Sequence, residues 1–327
     1  MTQQAGDDDL GVVADIGGTN CRFAIASRRG TALIAPASTP RANHADFTAA
    51  LGAYLQTRPE RGRLRWAVIA VAGPVGADGV SLTNGDWRIA GGEIADAFAL
   101  ARVELVNDFT AMAASITRMD TQSLLAIGGG APQAAAGAIT MAVIGPGTGL
   151  GVGGLVRGPE ATYPLSTEGG HVLFAPIGAL EREINRVLEG WFERVSYERL
   201  LSGEGLENIY RALCEIEGAP AADYAARDIS RLAAGGDAQC VRTLGVFTQV
   251  LGAFAGDVAL VMGARGGVYI AGGMITKLLD QFDQAAFRAR FEAKGRFRAY
   301  MEAIPARIIV HPYPGLLGAA ALAPGAG

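Results

Sequence analysis

Val103-Glu104-Leu105-Val106-Asn107-Asp108-Phe109-Thr110-Ala111-Met112 opens as an apolar, β-branched run and stops on two small polar residues. A helical pattern follows at once through Ala111, Met112, Ala114 and Ile116. A strand that hands over to a helix in this way leaves a carboxylate at the carboxyl end of a sheet, where open α/β sheets hold their ligands. Asp108 is therefore the candidate general base, and Asn107 a hydrogen-bonding partner for substrate. The plainer reading is that Asn107-Asp108 caps the next helix, a common role for such residues. This segment alone favours the cap; the rest of the chain reverses the balance.

Upstream, Leu10–Ile16 reads as a strand, Gly17-Gly18-Thr19-Asn20 as a tight turn and Cys21–Ala26 as a second strand. Glycines let the main chain approach a phosphate closely, so this hairpin with Asp15, Gly17, Gly18, Thr19 and Asn20 suits a phosphate grip. A strand follows the turn, which separates it from the strand-to-helix loop of dinucleotide folds. An ordinary hairpin with Asp15 as turn former is the competing reading. Residues 44–57 and 92–100 carry helical patterns. Trp66–Ala72 is a strand closing in Gly73-Pro74, a turn suited to lining a site. Leu82-Thr83-Asn84-Gly85-Asp86-Trp87 suits either a sugar-contacting loop or a plain surface loop.

Downstream, residues 118–137 suit a crossover between domains. Ile139–Ile144 is a strand, Gly145-Pro146-Gly147-Thr148-Gly149-Leu150-Gly151 a second glycine turn, and Val152–Val156 a strand again. Strand, Gly/Thr turn and strand thus recur about 130 residues after the first set, which predicts two related domains. Two such hairpins facing each other across a cleft would hold a nucleoside triphosphate. Ser166-Thr167-Glu168-Gly169-Gly170-His171 then sets a carboxylate and an imidazole around two glycines, a pair able to bond neighbouring hydroxyls. Metal binding at this cluster is the weaker reading, with no cysteine or second histidine nearby.

Residues 180–192 form an amphipathic core helix. Ser196 is expected to cap a short helix in which Glu198 reads as a solvated residue. Further helices are expected at 205–216, 221–234 and 237–262, the last apolar on most sides. Gly266–Met274 reads as a strand opening a helix through Gly272-Gly273, whose bare N-terminus could face an adenosine ribose or phosphate; a simple turn fits equally. Ile308–Val310 is a late strand and 314–320 a closing helix.

Composition narrows the classes. The 327 residues exceed most single cores, so two domains are expected. A net charge of −4 offers no basic surface for nucleic acid. The two lysines, Lys277 and Lys294, follow no glycine-rich loop, which excludes a Walker-type P-loop. Cys21, Cys214 and Cys240 match no metal or redox spacing and fit a reducing compartment. Residues 1–9 are polar and acidic, read as disordered and unlike a signal peptide. The longest apolar stretches are broken by Gly, Asp or Arg, so no membrane span is expected and the chain reads as cytoplasmic.

In order, Asp15–Asn20, Ala72-Gly73-Pro74, Leu82-Thr83-Asn84, Val106-Asn107-Asp108, Gly145–Gly151, Glu168-Gly169-Gly170-His171, Ala271-Gly272-Gly273 and Pro314-Gly315-Leu316-Leu317-Gly318 resemble the motifs of bacterial glucokinases of the non-ROK type. The resemblance covers residues 10–323 and implies an α/β fold of two related RNase-H-like domains, the actin-like ATPase superfold. Each domain would carry a central mixed sheet, with the active site in the interdomain cleft. Residues 10–117 would form a small domain joined by the C-terminal helix 315–327, and 118–314 a large one. The implied reaction is ATP-dependent phosphorylation of D-glucose at its 6-hydroxyl, with Asp108 as base. Asn84, Asn107, Glu168 and His171 would hold the sugar, along with Gly73 in its turn, and Glu198 is promoted from solvated residue to sugar contact. Gly147, Thr148, Gly149 and the first hairpin would hold phosphates, Gly272 and Gly273 the adenosine, and Asp15 a Mg2+ directly or through water. A homodimer is also implied. ROK relatives carry a cysteine cluster for zinc that this chain lacks, and Gly85 stands where a larger residue is expected at the sugar rim. A kinase for another hexose, such as mannose or an amino sugar, and a non-catalytic sugar sensor are the alternatives.

Overall fold

The computed structural model describes residues 10–28, 30, 32–73, 75–76, 79–81, 87–130 and 137–324. The chain divides into two compact units, one taking residues up to Gln122 with Pro164–Ser166 and His311 onward, the other Ser123–Tyr163 and Thr167–Val310.

The first unit begins with β1 (Leu10–Ile16), β2 (Asn20–Ser27) and β3 (Leu33–Pro40), then α1 (Phe47–Gln56) and β4 (Trp66–Val71). A small hairpin of β5 (Val80–Ser81) and β6 (Arg88–Ile89) precedes α2 (Gly91–Phe98), β7 (Arg102–Asn107) and α3 (Asp108–Ser115). The sheet order is β3-β2-β1-β4-β7, with β1, β4 and β7 parallel and β2 antiparallel to β1. β1 and β4 are apolar on both faces because both are covered. Their alternation splits the core in two. Val12, Ile16, Phe23, Ile25, Ile69 and Val71 pack with Phe47 and Leu51 of α1, and Val13, Ala24, Trp66 and Val68 belong to the second cluster. Asp46 fixes the start of α1 by accepting the Ala49 N–H at 2.7 Å.

The second unit contains β8 (Leu124–Ala126), β9 (Ile139–Pro146), β10 (Leu150–Arg157) and β11 (Thr162–Thr167). Four helices follow, α4 (Gly178–Trp191), α5 (Gly203–Ile216), α6 (Ala226–Ala234) and α7 (Ala238–Met262). Then come β12 (Val268–Ile270), α8 (Gly273–Lys277), α9 (Gln284–Glu292), α10 (Arg298–Glu302) and β13 (Ala306–Ile309). The sheet order β11-β10-β9-β12-β13-β8 repeats that of the first unit through its first five strands. Each sheet has the same antiparallel hairpin followed by two parallel neighbours. The repeat expected from the two glycine turns is thus present as topology. The last helix, α11 (Pro314–Ala321), belongs to the first unit, where Leu316, Ala319 and Ala320 complete the cluster around Trp66.

Three local expectations need correction. Ser196 makes no cap bond and precedes only a 3-10 turn at Tyr197–Arg199; Ser202 caps the following helix instead, accepting the Gly205 N–H at 2.9 Å. α6 starts at Ala226, not 221, where the Glu207 carboxylate of α5 accepts the Ala226 N–H at 3.0 Å and so satisfies the first helical amide. α7 has 25 residues and contains an 18-residue window of mean hydropathy 1.7, so by length and composition it is long and apolar enough to cross a membrane. It is 72% buried over that window and forms the centre of the second core, with Phe247, Leu251 and Phe254 fully enclosed.

Candidate active site

In the first unit the register Ile16↔Val71↔Asn107 brings three parallel strands to a level finish. What lies beyond that edge comes from the three strand ends. After β1, the turn closes with the Gly17 N–H on the Asn20 carbonyl at 3.0 Å, leaving Gly18 and Thr19 exposed. Asp15 lies inside the strand end and pairs with Arg22 across the hairpin at 2.9 Å. Burial pushes the Asp15 carboxyl above its ordinary pKa, and the Arg22 guanidinium pulls in the opposite direction.

After β4, Gly73 takes φ +133°, a value that suits glycine, and its carbonyl accepts from Asn107 Nδ2 at 3.2 Å. Asn107 Oδ1 accepts the N–H groups of Phe109 at 2.9 Å and Thr110 at 3.2 Å. The cap reading is therefore correct for Asn107, and it does not displace the functional one. Its amide nitrogen has a second hydrogen beyond the bond to Gly73, so the same side chain is fixed by backbone on one side and retains a donor on the other. Asp108 becomes the first residue of α3, half-exposed, with Oδ1 accepting the Phe109 N–H at 2.9 Å. A carboxylate at a helix N-terminus is favourable with the helix dipole.

The second unit repeats this edge with different contents. The Gly147–Gly149 turn closes by Gly147 N–H to the Gly149 carbonyl at 2.8 Å, and the Gly203 N–H at the head of α5 holds the Gly147 carbonyl at 2.9 Å. Thr148 is exposed at the tip. The strand end of β12 lies beside it, with the Ala271 N–H on the Ile144 carbonyl at 2.7 Å. Gly272 takes φ +103° and comes so near the Pro146 carbonyl that an added Cβ would stand 2.5 Å from it. Gly272 and Gly273 therefore adjoin the glycine turn, and Gly273 opens α8, which is only five residues long.

Glu168 and His171 sit on a 3-10 turn at Gly169–His171 that packs on β10. Gly170 is required there by close approach: an added Cβ would fall 1.9 Å from the Leu150 carbonyl oxygen. Thr167 Oγ1 ties the turn to the Val152 carbonyl at 2.8 Å. Both Glu168 and His171 are exposed, and His171 Nδ1 lies 3.7 Å from Glu198 Oε1. The other oxygen, Glu198 Oε2, accepts the Leu150 N–H at 2.8 Å. Local reading made Glu198 a solvated helix residue; in the fold it is half-buried and reaches the residue that follows the glycine turn. Nothing in its own neighbourhood signals this, because the partner is 48 positions away. A Ser-Gly pair before a helical pattern is a usable cap signal for Ser202 and Gly203, whereas the Leu150 amide leaves none.

The structure thus gathers Asp15, Gly17, Gly18, Thr19, Asn20, Gly73, Asn107 and Asp108 at one sheet edge. It gathers Gly147, Thr148, Gly149, Glu168, His171, Glu198, Gly272 and Gly273 in the second unit. Asn84 and Gly85 lie outside the described residues, as does most of the expected sugar loop at Leu82–Trp87.

The glucokinase family model matches residues 12–325. A glucokinase from Caulobacter sp. (strain K31) is 42% identical over 317 residues, spanning 95% of this chain and 94% of that protein. A crystal structure of a glucokinase from an Antarctic psychrotroph superposes with a TM-score of 0.86 at 34% identity, covering 96% of this chain and 98% of that one. A ROK family glucokinase from Streptomyces griseus, solved with glucose and AMPPNP, shares the fold at a TM-score of 0.65 and 20% identity, over 96% and 98% of the two chains.

Proposed function

The chain belongs to the glucokinase family and phosphorylates glucose; within that activity we propose that ATP is the donor and that Asp108 accepts the proton of the 6-hydroxyl as its oxygen attacks the γ-phosphorus. The observation that carries this is the finish of β7, where backbone bonds lock Asn107 and set a carboxylate at the first position of α3. Asn107, Glu168, His171 and Glu198 bond the sugar hydroxyls, Gly73 shapes the turn beside Asn107, and Asn84 is the remaining sugar contact. The S. griseus enzyme with its ATP analogue supports the choice of donor.

Phosphoryl transfer is mainly positioning and charge stabilisation, with little covalent work for the protein. The turns at Gly17–Asn20 and Gly147–Gly149 contribute N–H donors and the hydroxyls of Thr19 and Thr148, and Gly272-Gly273 receives the adenosine. Lys294 is engaged elsewhere, held by the Ala253 carbonyl and Asp257 at 2.8 and 2.5 Å. Among the described residues no three His, Cys, Asp or Glu side chains gather as a metal cage. Mg2+ does not need one, since it is commonly held by one or two carboxylates together with waters and substrate phosphates. Asp15, a mostly buried carboxylate paired with Arg22 across its hairpin, fits that part directly or through water. When bound, the ion would neutralise charge on the phosphates. A cytoplasmic homodimer completes the reading; light scattering at twice the chain mass supports it, and a monomer does not.

The test is a coupled assay with ATP over glucose, mannose, fructose, glucosamine and N-acetylglucosamine, with and without Mg2+. Highest turnover on glucose, lost on chelation, is expected. A higher kcat/KM for another hexose, or activity surviving chelation, would remove the corresponding assignment.

A further inference from the structure

Glu198 joins two groups that the sequence keeps apart. One oxygen faces His171 in the sugar cluster at 3.7 Å, and the other is held by the Leu150 N–H at 2.8 Å, directly after the phosphate turn. The carboxylate fills the space where a side chain at position 149 would lie: an added Cβ would stand 2.4 Å from Oε2 and 3.3 Å from Cδ, with no other close neighbour. The backbone of Gly149 is outside the left-handed region, so the glycine is not there for conformational freedom. Its missing side chain leaves room for Glu198.

We propose that Gly149, a residue of the phosphate turn, is a positioning residue for the sugar: by leaving space for the Glu198 carboxylate on the Leu150 N–H, it sets the affinity for glucose before any nucleotide binds. This rests on the assignment of Glu198 as a sugar contact. A carboxylate fixed by a charge-assisted hydrogen bond meets a hydroxyl already ordered, whereas a free glutamate must first give up rotamer freedom. A methyl group at 149 collides with the end of a flexible side chain and not with backbone, so it shifts the carboxylate without breaking the fold. The link is also reciprocal, since whatever ties Glu198 to sugar bears on the turn that Leu150 terminates.

The experiment is a double-mutant cycle read by calorimetric titration of glucose without nucleotide, on the native chain, Gly149→Ala, Glu198→Ala and the double variant. Gly149→Ala is expected to weaken glucose binding about 10- to 150-fold, the scale of one lost hydrogen bond to a charged group. In the Glu198→Ala background the same change should cost nothing further, because the group it moves is gone. Unchanged affinity in Gly149→Ala beside a weakened Glu198→Ala overturns the inference, as does an equal loss in both backgrounds. Native-like affinity in Glu198→Ala overturns the sugar assignment itself, and the inference with it. Should Gly149→Ala fail to fold, the native chain with 15N-labelled leucine supplies the same answer. Without sugar, its Leu150 amide should exchange with solvent more slowly than that of Glu198→Ala, because the carboxylate already holds it, and equal rates overturn the proposal.

Discussion

Set side by side, the hairpins β1-β2 and β9-β10 occupy the same place in two sheets of the same order and differ at the positions that matter. Where the first hairpin pairs Asp15 with Arg22, the second pairs Gly145 with Gly151. The first unit therefore carries its own carboxylate and cation at the turn. The second carries none and imports a carboxylate, Glu198, from the connection between β11 and β12. That connection contains four helices, against the single α1 between β3 and β4. The topology supplies two equivalent sheet edges, and the length of one crossover decides which edge receives Glu168, His171 and Glu198. The third parallel strand differs likewise: β7 ends in Asn107 with Asp108 next in the chain, β13 in Ile309 followed by Val310.

The largest effect expected from breaking this asymmetry is at Asp108. Asp108→Asn should lower turnover by about 100-fold or more, the scale of lost base catalysis, while calorimetry finds glucose affinity within a few-fold of native. Near-native turnover would leave the two strand ends chemically equivalent. Next comes packing. Gly170→Ala places a Cβ 1.9 Å from the Leu150 oxygen, whereas Gly18→Ala meets nothing within 4 Å. Gly170→Ala should lose about 1–3 kcal/mol in denaturant unfolding, as overpacking does, with Gly18→Ala much nearer native. Equal losses would mean that close approach to β10 does not explain the glycine. Glu168→Gln should weaken glucose binding about tenfold if its carboxylate accepts from a sugar hydroxyl; unchanged affinity would confine the sugar cluster to His171 and Glu198.

The smallest effect concerns pH and only the first unit. Burial holds His311 below its ordinary pKa of 6.5, and its Nδ1 accepts the Tyr313 N–H at 3.1 Å. The folded state thus binds fewer protons than the unfolded one, so stability is full above the unfolded value of 6.5 and falls as pH drops below it. Melting temperatures of the native chain should decline faster than those of His311→Asn between neutral and mildly acid pH, and parallel curves would sever the link between this histidine and the stability of the unit.

Much of this was legible in the chain because the decisive signals are local. An apolar run ending in Gly-Gly-Thr or Asn-Asp announces a strand end wherever it occurs, so both hairpins and the Asp108 position could be read directly. The edge strands β3, β8 and β11 could not. They are short or proline-bearing and half-exposed, which removes the apolar run that marks a central strand. Glu198 escaped for a different reason: its partner is a main-chain N–H, which leaves no residue type to look for. The glycines at 169 and 170 pack tightly on β10, a tertiary fact without local trace.

The position of α11 has a consequence for biosynthesis. The sheet of the first unit is complete in sequence by Asn107, yet the face bearing Val13, Ala24, Trp66 and Val68 is closed only by Leu316, Ala319 and Ala320. A ribosome adding about 5–20 residues per second needs roughly ten to forty seconds to travel from the end of α3 to that helix. Through that interval the nascent first unit presents an unsealed apolar face while the second unit, continuous from Ser123 to Tyr163 and from Thr167 to Val310, finishes ahead of it. The half of the molecule made first is therefore the half completed last, and a chain released short of Leu316 is a substrate for chaperones and proteases.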